Sequence, residues 1–261
     1  MAGPASGASP TALWHLDERS GSIAHDATGH GYDGAIKNIK LGVAGVVGSA
    51  FEFNGTSSRI LVNDAPGLRA GDLDIVATLR VSFTTVPSED YDLIRKGLSS
   101  SSGGDWKMEI IRSSGKAVAY CYWKGSKASK GKSGGPSLAD GKWHTITCEK
   151  HATQVALVVD GQRYTSTTTI GRIDNTAQLS IGARLAAAAT GTRGGWTRCR
   201  WRSGEGRLSG CGPLLLHTMR PVVEWSASSP RSSATGRRAT DRPRLALRWP
   251  GRSRCRRRAP W

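Results

Sequence analysis

The chain has 261 residues, of which 37 are Lys or Arg and 20 are Asp or Glu, giving a formal net charge of +17. This length is enough for one or two domains with a full hydrophobic core. No apolar run approaches the ~20 residues that a membrane-spanning helix needs, so no membrane span is predicted. A charge this high usually indicates a nucleic-acid or anionic-lipid partner.

The charge is concentrated at one end of the sequence. Residues 1–185 contain 20 basic and 17 acidic residues, a net charge of +3, whereas residues 186–261 contain 17 basic and 3 acidic residues, a net charge of +14. The second part also has no Lys, Phe, Tyr, Ile, Asn or Gln. The near-neutral first part does not favour a nucleic-acid partner, and the two parts are interpreted separately.

Residues 1–10 form a short leader of small and polar residues. They lack the basic start and the apolar core of about 7–15 residues that define a secretory signal peptide. The sequence therefore predicts either an intracellular protein or a chain whose export segment lies upstream of residue 1.

Residues 11–185 predict an all-β domain. Short stretches of strand composition recur between clusters of Gly, Asp, Asn and Ser, and no stretch has the 3.6-residue period of a helix. About twelve strands without a helix are typical of a two-sheet antiparallel sandwich or jelly roll. In chain order the predicted strands are Ala12–Leu16, Gly34–Ile39, Ala50–Asn54, Ser58–Val62, Asp74–Thr85, Tyr91–Arg95, Trp106–Arg112, Lys116–Trp123, Lys142–Glu149, Gln154–Asp160, Gln162–Thr167 and Gln178–Ala183.

Turn and loop signals separate these strands. Asp160-Gly161 predicts a two-residue hairpin turn, because that turn needs positive φ angles. Leu98–Gly104 and Ser126–Pro136 are rich in Ser and Gly and predict loops. The second loop is basic, so it either contacts a ligand or is a solvated surface loop, and the second interpretation is favoured.

Two of the five cysteines, Cys121 and Cys148, lie in the first part, each inside a predicted strand. Cys121 shares its strand face with Ala119, and Cys148 shares its face with Ile146. Two inward-facing cysteines form a disulfide if their Cα atoms come within about 7 Å, and otherwise they remain buried thiols. The residue pattern leaves both alternatives open.

Three motifs follow one another along residues 11–185. They are Ala12–Glu18 with Asp26–Gly31, then Ala50–Val62, and then Asp140–Cys148 with Val159–Gly161. In their order and spacing they resemble bacterial laminin G-like domains of the concanavalin A-like lectin/glucanase type. The resemblance implies a two-sheet jelly roll that is usually secreted and is often one module of a larger protein. It also implies that Cys121 and Cys148 form a disulfide.

Members of this family continue with an Asp-Trp-Tyr segment and a closing Met-Asp-Glu-Val strand, and this chain has neither in its sequence. A reading frame that starts at the last base of the Ala189 codon and runs to Arg202 permits Asp-Trp-Tyr-Gln-Gly-Arg-Met-Asp-Glu-Val-Ser-Val-Ala, which matches that ending. The residue types missing from the tail agree with a changed reading frame. Codons for Phe, Tyr, Ile, Asn and Lys have A or T at their first two positions, and an out-of-frame reading of GC-rich DNA contains few of them. The sequence therefore predicts a frameshift near residues 186–189.

Residues 186–261 are accordingly predicted to be a disordered, Arg-rich tail, and the domain 11–185 is predicted to lack its last strand. Thr11–Asp17 would then have an unpaired edge. The rival interpretation is a basic arm that grips nucleic acid, with arginines for phosphates and tryptophans for stacking on bases. The residues of such an arm would be Arg254, Arg256, Arg257, Arg258, Trp249 and Trp261.

No arrangement of catalytic residues is visible in the sequence. Glycosidases need two carboxylates on either side of a cleft, and the Glu-x-Asp-x-x-Glu strand motif of related glucanases is absent from the sequence. The acidic clusters nearest to it, in residues 72–74 and 89–92, have other spacings. His144 has no nucleophile or partner base near it in sequence and is expected to be structural. The protein is predicted not to be an enzyme, and no catalytic residue is assigned.

Calcium is the cofactor that the fold class favours. Hard cations take six to eight oxygen ligands, and the rim loops of lectin-like jelly rolls can supply carboxylate, amide and carbonyl oxygens. Ordinary turn residues are the alternative for each candidate. The loop-proximal candidates are Asp17, Asp26, Asn54, Asp64 and Asp174.

These observations predict a non-catalytic extracellular binding module whose partner is a carbohydrate or glycoconjugate. A structural or adhesion module that contacts protein is the alternative. A glycoside hydrolase and a nucleic-acid-binding tail are more remote alternatives. The function is inferred from the family resemblance and the fold, and the sequence has no signal for the oligomeric state.

Overall fold

Sixteen β-strands and one turn of 3-10 helix make up the described structure, a computed structural model that covers residues 10–182 and the backbone of residues 222–228. All twelve strands predicted from the sequence are present, so the all-β prediction is confirmed. In chain order the elements are β1 (Ala12–Trp14), β2 (Ile23–Ala24), β3 (Gly34–Lys37), β4 (Ile39–Ala44), β5 (Ser49–Phe53), β6 (Arg59–Val62), the 3-10 turn (Pro66–Leu68), β7 (Asp74–Val81), β8 (Tyr91–Lys96), β9 (Asp105–Ser113), β10 (Lys116–Lys124), β11 (Ser129–Gly134), β12 (His144–Lys150), β13 (Gln154–Val159), β14 (Gln162–Thr167), β15 (Leu179–Ile181) and β16 (Val222–Ser228).

The strands form two large antiparallel sheets and a separate hairpin. The six-stranded sheet has the order β1-β16-β7-β12-β13-β14, and the eight-stranded sheet has the order β11-β10-β9-β8-β15-β6-β3-β2. β4 and β5 pair only with each other among the described strands. This is the two-sheet sandwich that the sequence predicts. Within the described residues no helix is long and apolar enough to cross a membrane.

Alternating side chains fill the space between the two sheets. On β9, Trp106, Met108 and Ile110 are at most 1% exposed and belong to the hydrophobic core, while the residues between them point the other way. Complete burial of an apolar side chain of this size contributes roughly 1.5–3 kcal/mol. The period of two along each strand therefore gives each sheet one apolar face and one outward face.

A disulfide joins Cys121 to Cys148, with 5.7 Å between their Cα atoms. Cys121 is on β10 of the eight-stranded sheet and Cys148 is on β12 of the six-stranded sheet, and both are fully buried. The pairing that the family resemblance implies is therefore present, and it links the two sheets through the core.

The closing strand corrects the expectation from the sequence. β16 lies between β1 and β7, with Trp225 opposite Ala12 and Val223 opposite Leu79. The first strand therefore has a partner, and the unpaired edge expected at Thr11–Asp17 is wrong. Residues 222–228 begin with two valines and include a tryptophan, which are residue types that favour strands. The remainder of the predicted tail and the leader residues 1–9 lie outside the described residues.

The predicted loop Ser126–Pro136 is also corrected. Its residues Ser129–Gly134 form β11, which pairs with β10 at one edge of the eight-stranded sheet. An edge strand of Ser, Gly and Lys buries few side chains, so it lacks the apolar alternation that marks the inner strands. The other predicted loop, Leu98–Gly104, is confirmed, as is the turn at Asp160-Gly161, where both φ angles are positive.

Candidate functional site

The outward face of the eight-stranded sheet carries a group of charged and aromatic side chains, which we call the outer cluster. On β9 and β10 its members alternate with core residues, so Lys107 stands opposite Tyr122 and Glu109 stands opposite Tyr120. Register with β8 adds one arginine and one aspartate to the same face. The outer cluster consists of Asp92, Arg95, Lys107, Glu109, Tyr120 and Tyr122.

Two ion pairs lie side by side at the base of the outer cluster. Arg95 Nη1 donates to both carboxylate oxygens of Asp92, at 3.1 and 2.9 Å. Lys107 Nζ donates to Glu109 Oε1. These groups are shielded from water although they point away from the core, since Asp92, Arg95 and Glu109 keep only 8%, 3% and 1% of their exposure. Limited access to water strengthens the electrostatic interactions of the cluster.

Glu109 is the carboxyl group in this cluster with the fewest partners. Its Oε2 is buried and has no hydrogen-bond partner within the described part of the chain. Burial and the neighbouring carboxyl of Asp92 raise the pKa of Glu109 to about 7, against the lowering effect of Lys107. Glu109 therefore changes its protonation state near neutral pH. A buried polar atom without a partner costs about 1–3 kcal/mol of stability.

Two tyrosines supply the aromatic part of the outer cluster. Tyr120 reaches across the neighbouring strand β11, where a Cβ at Gly131 would lie only 2.1 Å from the tyrosine hydroxyl oxygen. Glycine at position 131 is therefore what allows this ring to lie against the edge strand. Lys107 Nζ lies 5.9 Å from the centroid of the Tyr122 ring, within the range of a cation–π interaction. Both tyrosines are half-buried, so each ring keeps an accessible part.

Four of the five residues predicted as calcium ligands accept hydrogen bonds from protein groups in the structure. Asp26 Oδ1 accepts the backbone N–H groups of Leu13 and Thr28, each at 3.1 Å. Burial opposes ionisation of Asp26, but these backbone donors outweigh it and lower its pKa. Asn54 Oδ1 accepts the backbone N–H groups of the residues two, three and four positions later, at 2.9–3.0 Å, and so shapes its own turn.

The other three candidates do not complete a site. Asp64 binds Lys96 Nζ at 2.6 Å and Arg69 Nε at 2.9 Å. Asp174 accepts a guanidinium N–H from the arginine two residues before it, and Asp17 is exposed after β1. Among the described residues, no group of three or more His, Cys, Asp or Glu side chains is arranged to hold a metal ion. The five residues do not come together, and calcium binding by the domain stays a prediction.

His144 joins two carboxylates at one end of the six-stranded sheet. Its Nδ1 lies 2.7 Å from Asp160 Oδ2 and its Nε2 lies 2.9 Å from Asp140 Oδ1. Burial opposes protonation of the ring, but the two aspartates outweigh it and raise the pKa of His144. The histidine thus holds two turns together.

The outer cluster is not predicted from the sequence. Asp92 is interpreted there as part of a strand start, and Glu109 is not singled out. A signal is nevertheless present, because Lys107 and Glu109 alternate with apolar residues of β9, which marks a polar outward face. The pairing of Asp92 with Glu109 depends on strand register across a bulge in β8, which no local pattern reveals.

Comparison with known proteins agrees with this architecture. The family model described as the concanavalin A-like lectin/glucanases superfamily matches residues 54–195. The chain belongs to this superfamily. No curated protein matches the sequence. The match covers strands of both sheets, including β8, β9 and β10, which carry the outer cluster.

Several solved structures are similar to this chain in fold at low sequence identity. The binding domain of Paraclostridial Mosquitocidal Protein 1 has a TM-score of 0.58 and 12% identity, over 84% of this chain and 49% of that one. The binding domain of Botulinum Neurotoxin DC in complex with SialylT has a TM-score of 0.53 and 10% identity, over 83% and 47%. This chain therefore spans about half the length of those toxin domains.

A third similar structure matches over nearly its whole length. Domain 4 of AbnA, a GH43 extracellular arabinanase from Geobacillus stearothermophilus, in complex with arabinotriose, has a TM-score of 0.51 and 16% identity. The match covers 84% of this chain and 93% of that domain. The fold of this chain is therefore similar to nearly the whole of one domain of a larger protein.

Proposed function

We propose that this domain is a non-catalytic module that binds carbohydrate on the outer cluster. The observation that carries the proposal is the placement of Tyr120 and Tyr122 above a base of paired charges on one sheet face. A sugar ring has an apolar C–H face, which packs on aromatic side chains, and a rim of hydroxyls, which bond to charged groups. The bound SialylT and arabinotriose in two similar structures support this class of ligand.

The geometry of the two carboxyls favours binding over hydrolysis. A glycosidase places its two carboxyls on either side of the scissile bond, about 5 Å or more apart, so that each contacts the substrate. Here Asp92 and Glu109 stand directly opposite each other on neighbouring strands, and Glu109 is only 1% exposed. Both groups lie on the same side of any ligand, so they cannot flank a glycosidic bond.

The disulfide supports an extracellular role for the module. Disulfides form and persist in oxidising compartments and are rare in the cytosol. The bond between Cys121 and Cys148 is fully buried and crosses the core, so it is part of the fold. We therefore propose that the module acts outside the cell, where it can meet cell-surface glycans and polysaccharides.

A glycan array tests the function with the full chain, with calcium in one arm and EDTA in the other. We expect binding to a defined set of oligosaccharides, and calcium dependence would support the calcium prediction.

Calorimetry with the strongest array ligand then compares the affinities of variants. Tyr120→Ala should weaken binding at least tenfold, and Tyr120→Phe should retain it because the ring is kept. Thr147→Ala, on the outward face of the other sheet, is the control. Unchanged affinity in Tyr120→Ala would contradict the site.

A protein-contacting adhesion module is the second candidate, and one observation favours it. Val46 and Val47, at the tip of the hairpin between β4 and β5, are 41% and 82% exposed. Exposed apolar side chains at a projecting tip are suited to protein contacts. An empty glycan array, together with protein capture that is lost in a Val46→Ser, Val47→Ser variant, would favour this candidate over carbohydrate binding.

A further inference from the structure

A polar pocket opens at the rim of the eight-stranded sheet, beyond the end of β10. It has a volume of about 400 Å³ and lies between the loop after β8, the turn after β10 and the segment before β15. Lys124, the last residue of β10, is in its wall. Because Tyr120, Tyr122 and Lys124 occupy alternate positions on one strand, they share a face at steps of roughly 7 Å. The pocket therefore continues the outer cluster along β10.

Two cations in the pocket wall have donors to spare. Lys124 Nζ donates to the carbonyl oxygen of Ser99 at 2.7 Å and has two further N–H groups. Arg172 donates to Asp72 Oδ2 at 3.2 Å and to Asp174, which accounts for two of its five N–H groups. The Arg172 side chain remains 54% exposed, so its other donors are accessible to a ligand.

Two serine hydroxyls add to these donors. Ser101 Oγ accepts the backbone N–H of Leu98 at 2.8 Å, and Ser126 Oγ accepts the backbone N–H of Arg172 at 3.0 Å. A hydroxyl that accepts from the backbone still has its own hydrogen to donate. Both serines line the pocket, so these hydrogens can turn towards a ligand.

Three acceptors in the wall already have donors. The carbonyl oxygen of Gly103 accepts the backbone N–H of Asp174, and that of Gly104 accepts Asn175 Nδ2, each at 2.8 Å. The carboxylate of Asp174 accepts a guanidinium N–H of Arg172. The unused donors of the wall favour an anionic substituent, and a carboxylate has a charge opposite to the two cations and two coplanar oxygens that match the geometry of a guanidinium group.

We propose that this rim pocket binds the carboxylate of a uronic acid residue in a glycan that lies along β10. Lys124 and Arg172 pair with the carboxylate, and the two serine hydroxyls bind its oxygens. Tyr122 and Tyr120 hold the sugar rings that follow. The inference rests on the proposed carbohydrate-binding function and names its ligand class, an acidic oligosaccharide.

Calorimetry with three probes tests the inference on the full chain: trigalacturonate, its methyl ester and neutral galactotriose. The methyl ester keeps the shape of the acid and removes its charge. We expect trigalacturonate to bind at least tenfold more tightly than the ester. Lys124→Gln and Arg172→Gln should each remove most of this preference. Lys116→Gln, which changes an exposed lysine at the other end of β10, is the matched control and should leave the preference intact.

The outcomes separate this inference from the function on which it rests. The assignment of the pocket is wrong if acid and ester bind equally, or if the preference for the acid survives in both pocket variants. The proposed carbohydrate-binding function would still stand if Tyr120→Ala weakens glycan binding. A sulfated galactotriose serves as an additional probe, and its tight binding in place of trigalacturonate overturns the carboxylate assignment. Failure of all three probes overturns the uronate proposal, and the array then decides the function separately.

Discussion

The outward faces of the two sheets both carry ion pairs, but they differ in how far their carboxylates are satisfied. On the six-stranded sheet, Glu149 accepts two Arg163 N–H groups at 2.7 Å each and lies 2.8 Å from His151 Nε2. Burial opposes ionisation of Glu149, but these partners outweigh it and lower its pKa to about 2. On the eight-stranded sheet, burial and a neighbouring carboxyl raise the pKa of Glu109 to about 7.

The difference distinguishes a stabilising network from a binding surface. A buried carboxylate whose oxygens all have donors holds the strands around it and has nothing left to offer a ligand. A buried carboxyl with an unpartnered oxygen and a shifted pKa is typical of functional sites. The same residue type thus has opposite roles on the two faces of one sandwich.

The disulfide is expected to have the largest effect, because it joins the two sheets that carry these faces. Replacing both residues, Cys121→Ala with Cys148→Ala, should cost about 3 kcal/mol. For a domain of this size that corresponds to a fall in Tm of roughly 6–12 °C. Thermal unfolding followed by circular dichroism measures it, and the reduced wild type should show a similar fall. Two separate transitions would show that the two sheets do not unfold as one unit.

Glu149→Gln and Glu109→Gln are a matched pair that compares the two faces directly. Glu149→Gln leaves Arg163 without its counter-charge and His151 with Asp74 alone, and it should cost about 1–3 kcal/mol. Glu109→Gln should change stability by less than about 0.5 kcal/mol at pH 6, since Glu109 is largely protonated there. Urea unfolding measures both variants. A larger loss for Glu109→Gln would reverse the assignment of roles.

Ligand binding at the outer cluster should depend on pH through Glu109. A ligand that covers the cluster removes more water and so favours the neutral form of Glu109. Because the pKa in the free protein is already about 7, affinity should be constant well below pH 7. It should fall as pH rises through 7, by about tenfold between pH 6 and pH 8 if only the protonated form binds. Calorimetry of Glu109→Gln should show no such fall, whereas a fall that persists in this variant would assign the effect to another group.

Restoring the shifted-frame ending should have the smallest effect of the four. β16 begins 41 residues after the end of β15, counting from Ile181 to Val222. The shifted frame would place a closing strand about a third as far along the chain, which lowers the entropy cost of closure by about 1 kcal/mol. A chain carrying Asp-Trp-Tyr-Gln-Gly-Arg-Met-Asp-Glu-Val-Ser-Val-Ala from position 190 should therefore have a higher Tm and a better soluble yield. Equal Tm values, or resequencing that confirms the printed frame, would count against the frameshift.

Strand prediction from the sequence succeeds where one face of a strand is buried. Apolar residues alternate along β9, β10 and β12 because one face of each strand packs in the core. The bounds of these strands are therefore predicted to within one or two residues. It fails for β11, an edge strand with little to bury, and for β16, which pairs with strands far away in sequence. Sheet edges and closing strands depend on long-range pairing more than on local pattern.

The candidate site is harder to predict for a related reason. Tyr120, Tyr122 and Lys107 alternate with apolar residues along their strands, so the sequence shows that they share an outward face. The contact between the ion pairs of Arg95 with Asp92 and of Lys107 with Glu109 depends on the register of β8 against β9. The calcium candidates, which stay predictions, illustrate the opposite difficulty. Acidic and amide side chains near loops are residue types that bind calcium, so the sequence marks them as candidates. In the structure, side-chain oxygens of Asp26 and Asn54 accept hydrogen bonds from backbone N–H groups.

Gly131 under the Tyr120 ring has a consequence for how such a module can diverge. Any larger residue at position 131 would lift the ring from the edge strand and reshape the surface beside it. Ligand preference could then change through one codon at a position that no sugar has to contact. We therefore expect a Gly131→Ala variant to change the ligand preference of the surface while Tyr120 itself is kept.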